Sequence, residues 1–253
     1  MPGTDFFFLN TTTKPFNDVR VRRALNYAID RNEIVKIYGG SDAAEPTCQI
    51  LPPQMPGFRR YCPYTRLPGP DGRWRGPDLE RARELVTASG TAGAEVKVWD
   101  TPQPQIALDQ GRYLTGLLRQ LGYRATLHIL NDRRFLEYTG DPRNHAQVVS
   151  GGWSVDYPSP SNFFGNLTCG SYTDSSEYCN PAVAKQIKRA ASLQATRPDE
   201  ATALWARLDR QITDQAVWLP TVTPRATTIL SKRVGNYQNN PFWGTLIDQL
   251  WVR

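Results

Sequence analysis

EVKVWDTPQPQIALDQGRYLTGLLRQLGYRATLHIL, residues 95–130, carries two strand-type segments on either side of a helical one. Glu95-Val-Lys-Val-Trp99 alternates apolar and polar residues, as a strand does. A helix is predicted near 105–121, stopped by Gly122, and Tyr123–Leu130 reads as the next strand. A short helix from about Asp132 then leads to a strand Ala146-Gln-Val-Val-Ser150. Strands separated by helices imply right-handed crossovers and a largely parallel sheet covered by helices, which places the chain in the α/β class.

Outward from this segment the same logic holds. Toward the N-terminus, Val21, Ala24, Leu25, Ala28 and Ile29 recur at i, i+3, i+4, i+7 and i+8, one buried stripe of an amphipathic helix with Asp18 as its N-cap. Asp30-Arg-Asn-Glu33 reads as a capping-box variant that opens a second short helix toward Tyr38, with Gly39-Gly40 as its stop. Residues 41–77 are rich in proline and glycine and have no sustained period, so they form a long irregular excursion, of the length that usually carries a function or packs as a flap. Asp78 opens a further helix ending near Gly90. In the second half, helices are predicted near 181–194 and 198–214, and strands near Val217–Leu219 and Ala226–Leu230, before an aromatic tail ending Trp251-Val-Arg253. Residues 1–253 read as a single α/β domain with decorations.

With 253 residues, 40% of them hydrophobic, the chain can fill a sizeable core and is not a disordered one. Its 30 Lys+Arg against 24 Asp+Glu give +6, but the densest basic runs, Arg20–Arg23 and Arg81–Arg83, alternate with apolar residues at helical spacing. They read as solvated helix faces, so no nucleic-acid partner is expected. Four cysteines fall into two local pairs without a Cys-x-x-Cys spacing: Cys48 and Cys62 bracket a Pro-rich segment, and Cys169 and Cys179 bracket a polar loop. Two disulfides are expected, each contributing about 3 kcal/mol to the irregular segment it closes, and they imply an oxidising compartment. The N-terminus runs from Met1-Pro-Gly straight into Thr-Asp-Phe-Phe-Phe, without a secretion signal, and reads as a boundary within a longer exported parent.

Three segments carry a family resemblance. Phe8-Leu-Asn-Thr-Thr-Thr-Lys-Pro-Phe-Asn-Asp-Val-Arg-Val-Arg-Arg-Ala-Leu-Asn-Tyr-Ala-Ile-Asp-Arg31 resembles the strand-turn-helix signature of the family 5 (peptide, oligopeptide and nickel) solute-binding proteins of ABC transporters. Pro77-Asp-Leu-Glu-Arg-Ala-Arg-Glu-Leu-Val86, running to Ser89-Gly90, resembles the helix after that family's Pro-rich loop. Gly151-Gly-Trp-Ser-Val-Asp-Tyr-Pro-Ser-Pro-Ser-Asn-Phe-Phe164, followed by Tyr178-Cys-Asn-Pro-Ala-Val183, is similar to its ligand-contacting segment. The resemblance implies a type II periplasmic-binding-protein fold with a mainly parallel mixed sheet and helices on both faces. It also implies that this chain is the C-terminal lobe of a two-lobed receptor whose N-terminal lobe is missing here. The parent would sit on the outer face of the cell envelope, anchored or periplasmic, and work with a membrane permease.

The resemblance also implies a site. The strand ending at Ser150 would deliver Gly151, Gly152 and Trp153 to the carboxyl edge of the sheet, with Ser154 and Tyr157 beside them. Glycines let a ligand main chain approach, Trp153 offers a flat apolar wall, and Asp156 holds a peptide's α-ammonium. The bland alternatives are a turn-capping carboxylate before Tyr157-Pro158 and simple core packing of the tryptophan. Enzyme readings lack support: His128 and His145 belong to no nucleophile-elbow or His-Glu-x-x-His pattern, no nucleotide loop is present, and neither a metal nor a cofactor is expected. Two other uses remain in view, a sensing domain of a larger membrane receptor and, more remotely, a secreted hydrolase.

Overall fold

The structure, a computed structural model, describes residues 2–253. Its centre is a six-stranded sheet formed by β1 (Gly3–Leu9), β2 (Ala44–Pro46), β3 (Glu95–Asp100), β4 (Arg124–Ile129), β5 (Val148–Ser154) and β6 (Trp218–Pro224), in the order β2-β6-β1-β5-β3-β4. The crossovers predicted from residues 95–150 give parallel pairs, β3 with β4 and β3 with β5. β1 opposes both its neighbours, β5 and β6, and β2 opposes β6. Four strands, β3 to β6, therefore run one way, and β1 and β2 run against them. The sheet is mixed because the first strand enters at its centre.

Burial on both sides explains the composition of β1. Phe6 and Phe8 face one hydrophobic layer and Phe7 and Leu9 the other, the two-residue alternation of a strand with a core on each face. The layer under Phe7 is covered by α1 (Val19–Ala28), α2 (Arg31–Ile37), α3 (Leu79–Ser89) and α4 (Gln105–Gln120). The layer under Phe6 and Phe8 is covered by α5 (Asp132–Thr139), α6 (Ser161–Phe164), α7 (Pro181–Leu193) and α8 (Pro198–Thr213). The caps are those read from the sequence: Asp18 accepts from the Arg20 N–H, Asp30 from the Asn32 N–H, and Asp78 from the Arg81 N–H, while Gly90 ends α3 at φ 68°.

Three expectations change. The strand expected to stop at Ser150 continues to Ser154, because the first residues of β1 supply a partner for it: Gly3 lies opposite Ser154 and Phe6 opposite Gly151. The strand expected at Ala226–Leu230 is absent; β6 runs to Pro224, the residues after it turn away from the sheet, and Ile229 and Leu230 are exposed. Arg22 is not on a solvated face. It is 5% exposed and donates to the carbonyls of Phe16 and Gln215, tying α1 to the turn before β6.

The two cysteine pairs are bonded, Cys48 to Cys62 and Cys169 to Cys179. The excursion at 41–77 is irregular apart from β2, which extends the sheet beside β6. Residues after β6 form two small ribbons, β7 (Val234–Gly235) with β10 (Trp251–Val252) and β8 (Asn239–Asn240) with β9 (Gly244–Thr245).

Candidate functional site

β5 reaches the carboxyl edge of the parallel half of the sheet and hands the chain to a turn before α6. The turn is organised by Asn162, a buried residue on α6. Its Oδ1 accepts from the Trp153 indole Nε1 at 3.0 Å and from the Asp156 N–H at 3.1 Å, and its Nδ2 donates to Asp156 Oδ2 at 2.9 Å. One amide thus fixes the tryptophan ring, the backbone of the turn and the aspartate carboxylate together. Asp156 itself is exposed, and among the described residues it forms no ion pair. The result is an exposed carboxylate held in one orientation by a neutral donor.

The other predicted residues divide by use. Trp153 is half-buried and packs on the aromatic layer under Phe6 and Phe8. Gly151 gives its room to the core: a Cβ there would sit 2.7 Å from the Phe8 ring and 3.1 Å from that of Phe6. Gly152 is exposed on the opposite face and leaves space for Asp5 on β1, whose Oδ1 would lie 2.6 Å from an added Cβ. Ser154 is exposed at the end of β5, and Tyr157 is exposed with its hydroxyl accepting from Ser161 Oγ at 3.3 Å. Asn162 lay inside the quoted motif but carries no charge and has no catalytic reputation; only its six-residue distance from Asp156 marked it as a partner.

Behind the same edge lie two further acids that sequence reasoning passed over. Asp5 is pushed up to about 7 and Asp100 to about 6, in both cases chiefly by burial. Asp100 Oδ1 accepts from Ser150 Oγ at 2.7 Å and from the Thr101 N–H at 2.8 Å, which only partly offsets that push. The histidines stay apart from this edge chemistry: His128 bonds Thr126 and lies against Trp99, and His145 is exposed in the turn before β5. A hollow of about 910 Å³ lies between the tail and the β2–β6 side of the sheet, bordered by Glu45, Arg225 and Tyr237 and not by Asp156. Among the described residues no group of three or more His, Cys, Asp or Glu is placed to hold a metal, and no helix is long and apolar enough to cross a membrane.

Residues 1–175 match the family described as bacterial extracellular solute-binding proteins, family 5 Middle. The chain is 29% identical over 252 residues to the probable di/tripeptide-binding protein 5 of Pseudomonas aeruginosa, covering 94% of this chain and 44% of that protein. It is 24% identical over 248 residues to the glutathione-binding protein GsiB of Escherichia coli, covering 94% and 46%. Among solved structures, HbpA2 from Haemophilus parasuis superposes with a TM-score of 0.81 at 21% identity over 100% of this chain and 48% of that one. The Escherichia coli murein tripeptide binding protein MppA gives 0.80 at 20% identity, with the same coverage. The chain thus spans about half the length of the curated relatives it matches.

Proposed function

Because this chain belongs to the family 5 bacterial extracellular solute-binding proteins, we propose that it is one lobe of a two-lobed receptor that binds short peptides outside the cell for uptake by an ABC transporter, without catalysis. The missing partner is an N-terminal lobe forming the other wall of the cleft, and the closed receptor is what the membrane permease reads. The relatives that carry a ligand in their names bind di- or tripeptides and glutathione, all of which present a free ammonium group.

The observation that carries the reading is the state of Asp156. Its Oδ2 is pinned by the Asn162 amide, and it forms no ion pair among the described residues. In this role Asp156 accepts from the peptide's α-ammonium, Trp153 walls the first residue, and Gly151, Gly152, Ser154 and Tyr157 frame the approach. Charge-assisted bonds of this kind contribute about 1.5–3 kcal/mol, so their loss is worth about 10- to 100-fold in affinity.

The test is calorimetric titration of the full-length protein that contains this chain with di- and tripeptides, each with a free or an acetylated amino terminus. Free peptides should bind, and acetylation and Asp156→Ala should each weaken binding by about 10- to 100-fold. Equal binding of acetylated and free peptides would remove Asp156 from the role, and a folded protein that binds no peptide would move the search to other solutes.

A further inference from the structure

β3 and β5 pair only at Val98 with Val148 and Trp99 with Val149, and then diverge. The divergence opens a crevice at the carboxyl edge, where open α/β sheets leave room for ligands. A cavity of about 260 Å³ occupies it, walled by Phe7, Tyr38, Ile106 and Phe135, with Gln110 and Asp5 as polar groups. No side-chain hydrogen bond or ion pair reaches the Asp5 carboxylate among the described residues, and burial is the one influence that moves its proton affinity. Directly behind Ser150 and Thr101, which line the same cavity, Asp100 is fully buried, and its Oδ2 has no partner.

A buried carboxylate without a cation is costly, and a chain that keeps the fully buried Asp100 and the half-buried Asp5 at one crevice gives up stability there. This chain also clears space for both. Gly152 leaves room for Asp5 on the neighbouring strand, and Gly111 leaves room for Asp100 Oδ2 from within α4, where a glycine weakens the helix. Any larger residue at either position would collide with a carboxylate oxygen. An apolar wall with a negative end is the complement of an alkyl chain with a positive end.

We propose that this crevice is a subsite for an alkyl chain ending in an ammonium or guanidinium group. Asp5 accepts from the cationic N–H groups, Asp100 adds negative charge behind Ser150, and the aromatic and aliphatic wall covers the methylenes. The subsite is distinct from Asp156, which is not among the residues lining the crevice. It does not depend on the peptide reading, since simple amines probe it directly.

The experiment titrates the 253-residue chain with cadaverine, agmatine and uncharged pentanol, following thermal midpoint shifts and the carbon resonances of the aspartate carboxyls. Cadaverine, agmatine or both should raise the midpoint and move the Asp5 carboxyl signal, with pentanol inert. Asp5→Asn should weaken the response at least about tenfold, the size of one charge-assisted contact. No response to either amine, an equal response to pentanol, or a response kept by Asp5→Asn overturns the subsite. The carboxyl signals of the unaltered chain decide the matter even where Asp5→Asn does not fold.

Discussion

Two irregular stretches of this chain are closed in the same way and anchored in opposite ways. Each is tied by a disulfide, with a sequence separation of 14 from Cys48 to Cys62 and 10 from Cys169 to Cys179. Each also rests on a buried aspartate that accepts several hydrogen bonds. In the shorter loop the aspartate is local: Asp174 takes the N–H and hydroxyl of Ser176, two residues on, and the indole N–H of Trp218. In the longer excursion it comes from α8, about 160 residues away, where Asp209 takes the N–H groups of Ile50 and Leu51 and the amide of Gln49. Gln49 then bridges to the Tyr61 N–H and the Arg59 carbonyl, on the far side of the same loop. A short loop can satisfy its backbone from within, while a long one must borrow an acceptor from the body of the fold.

The largest expected effect breaks the borrowed anchor. Asp209→Ala leaves a side-chain amide and two backbone N–H groups buried without an acceptor, and should cost about 3–5 kcal/mol in chemical denaturation, with new proteolytic cleavage between residues 49 and 61. Asp174→Ala should cost about 2–3 kcal/mol and leave the excursion protected. Paired Cys→Ser replacements should separate less: removing either disulfide costs about 3 kcal/mol, because the two closed loops are of similar length. If the two aspartates proved equal and the disulfides unequal, the contrast would lie in loop length and not in the source of the acceptor.

The same aspartates set a pH dependence. Burial pushes Asp209 up to about 7 and Asp174 up to about 6, above the ordinary carboxylate value they take when unfolded. Groups with a raised folded pKa stabilise fully below the unfolded value, and the contribution is lost as pH rises through the folded one. The denaturation midpoint should therefore fall as pH rises from about 4 to about 8, first through the Asp174 range and then through that of Asp209, with Asp5 and Asp100 acting in the same direction. Asp209→Asn should flatten the upper part of that fall. The smallest effect belongs to the excursion's surface: the exposed Asp71–Arg75 pair, 3.1 Å apart, should change stability by no more than about 1 kcal/mol in Arg75→Gln.

Much of this was legible in the sequence where local chemistry decides. Asp18, Asp30, Asp78 and Gly90 mark helix ends because capping is a contact between near neighbours. The cysteine pairs were legible for the same reason. What escaped was set by distance along the chain: the entry of β1 between β5 and β6, the extension of β5 to Ser154, the burial of Arg22, and the grip of Asp209 on the excursion. At the site, Asp156 and Trp153 stood out by type and motif, but Asn162, which joins them, is a neutral amide. Asp5 and Asp100 look like surface acids until strand pairing and α4 close over them.

The placement of β1 has a consequence for how the chain acquires its shape. Phe6 lies opposite Pro220, a separation of 220 − 6 = 214 residues, so the central strand of the sheet lacks one of its two neighbours until nearly the whole chain has left the ribosome. Contacts that span so much sequence are slow to form, because a long loop must close before any pairing rewards it. A nascent chain of this kind cannot complete its sheet until the β6 segment is available, so its centre closes late.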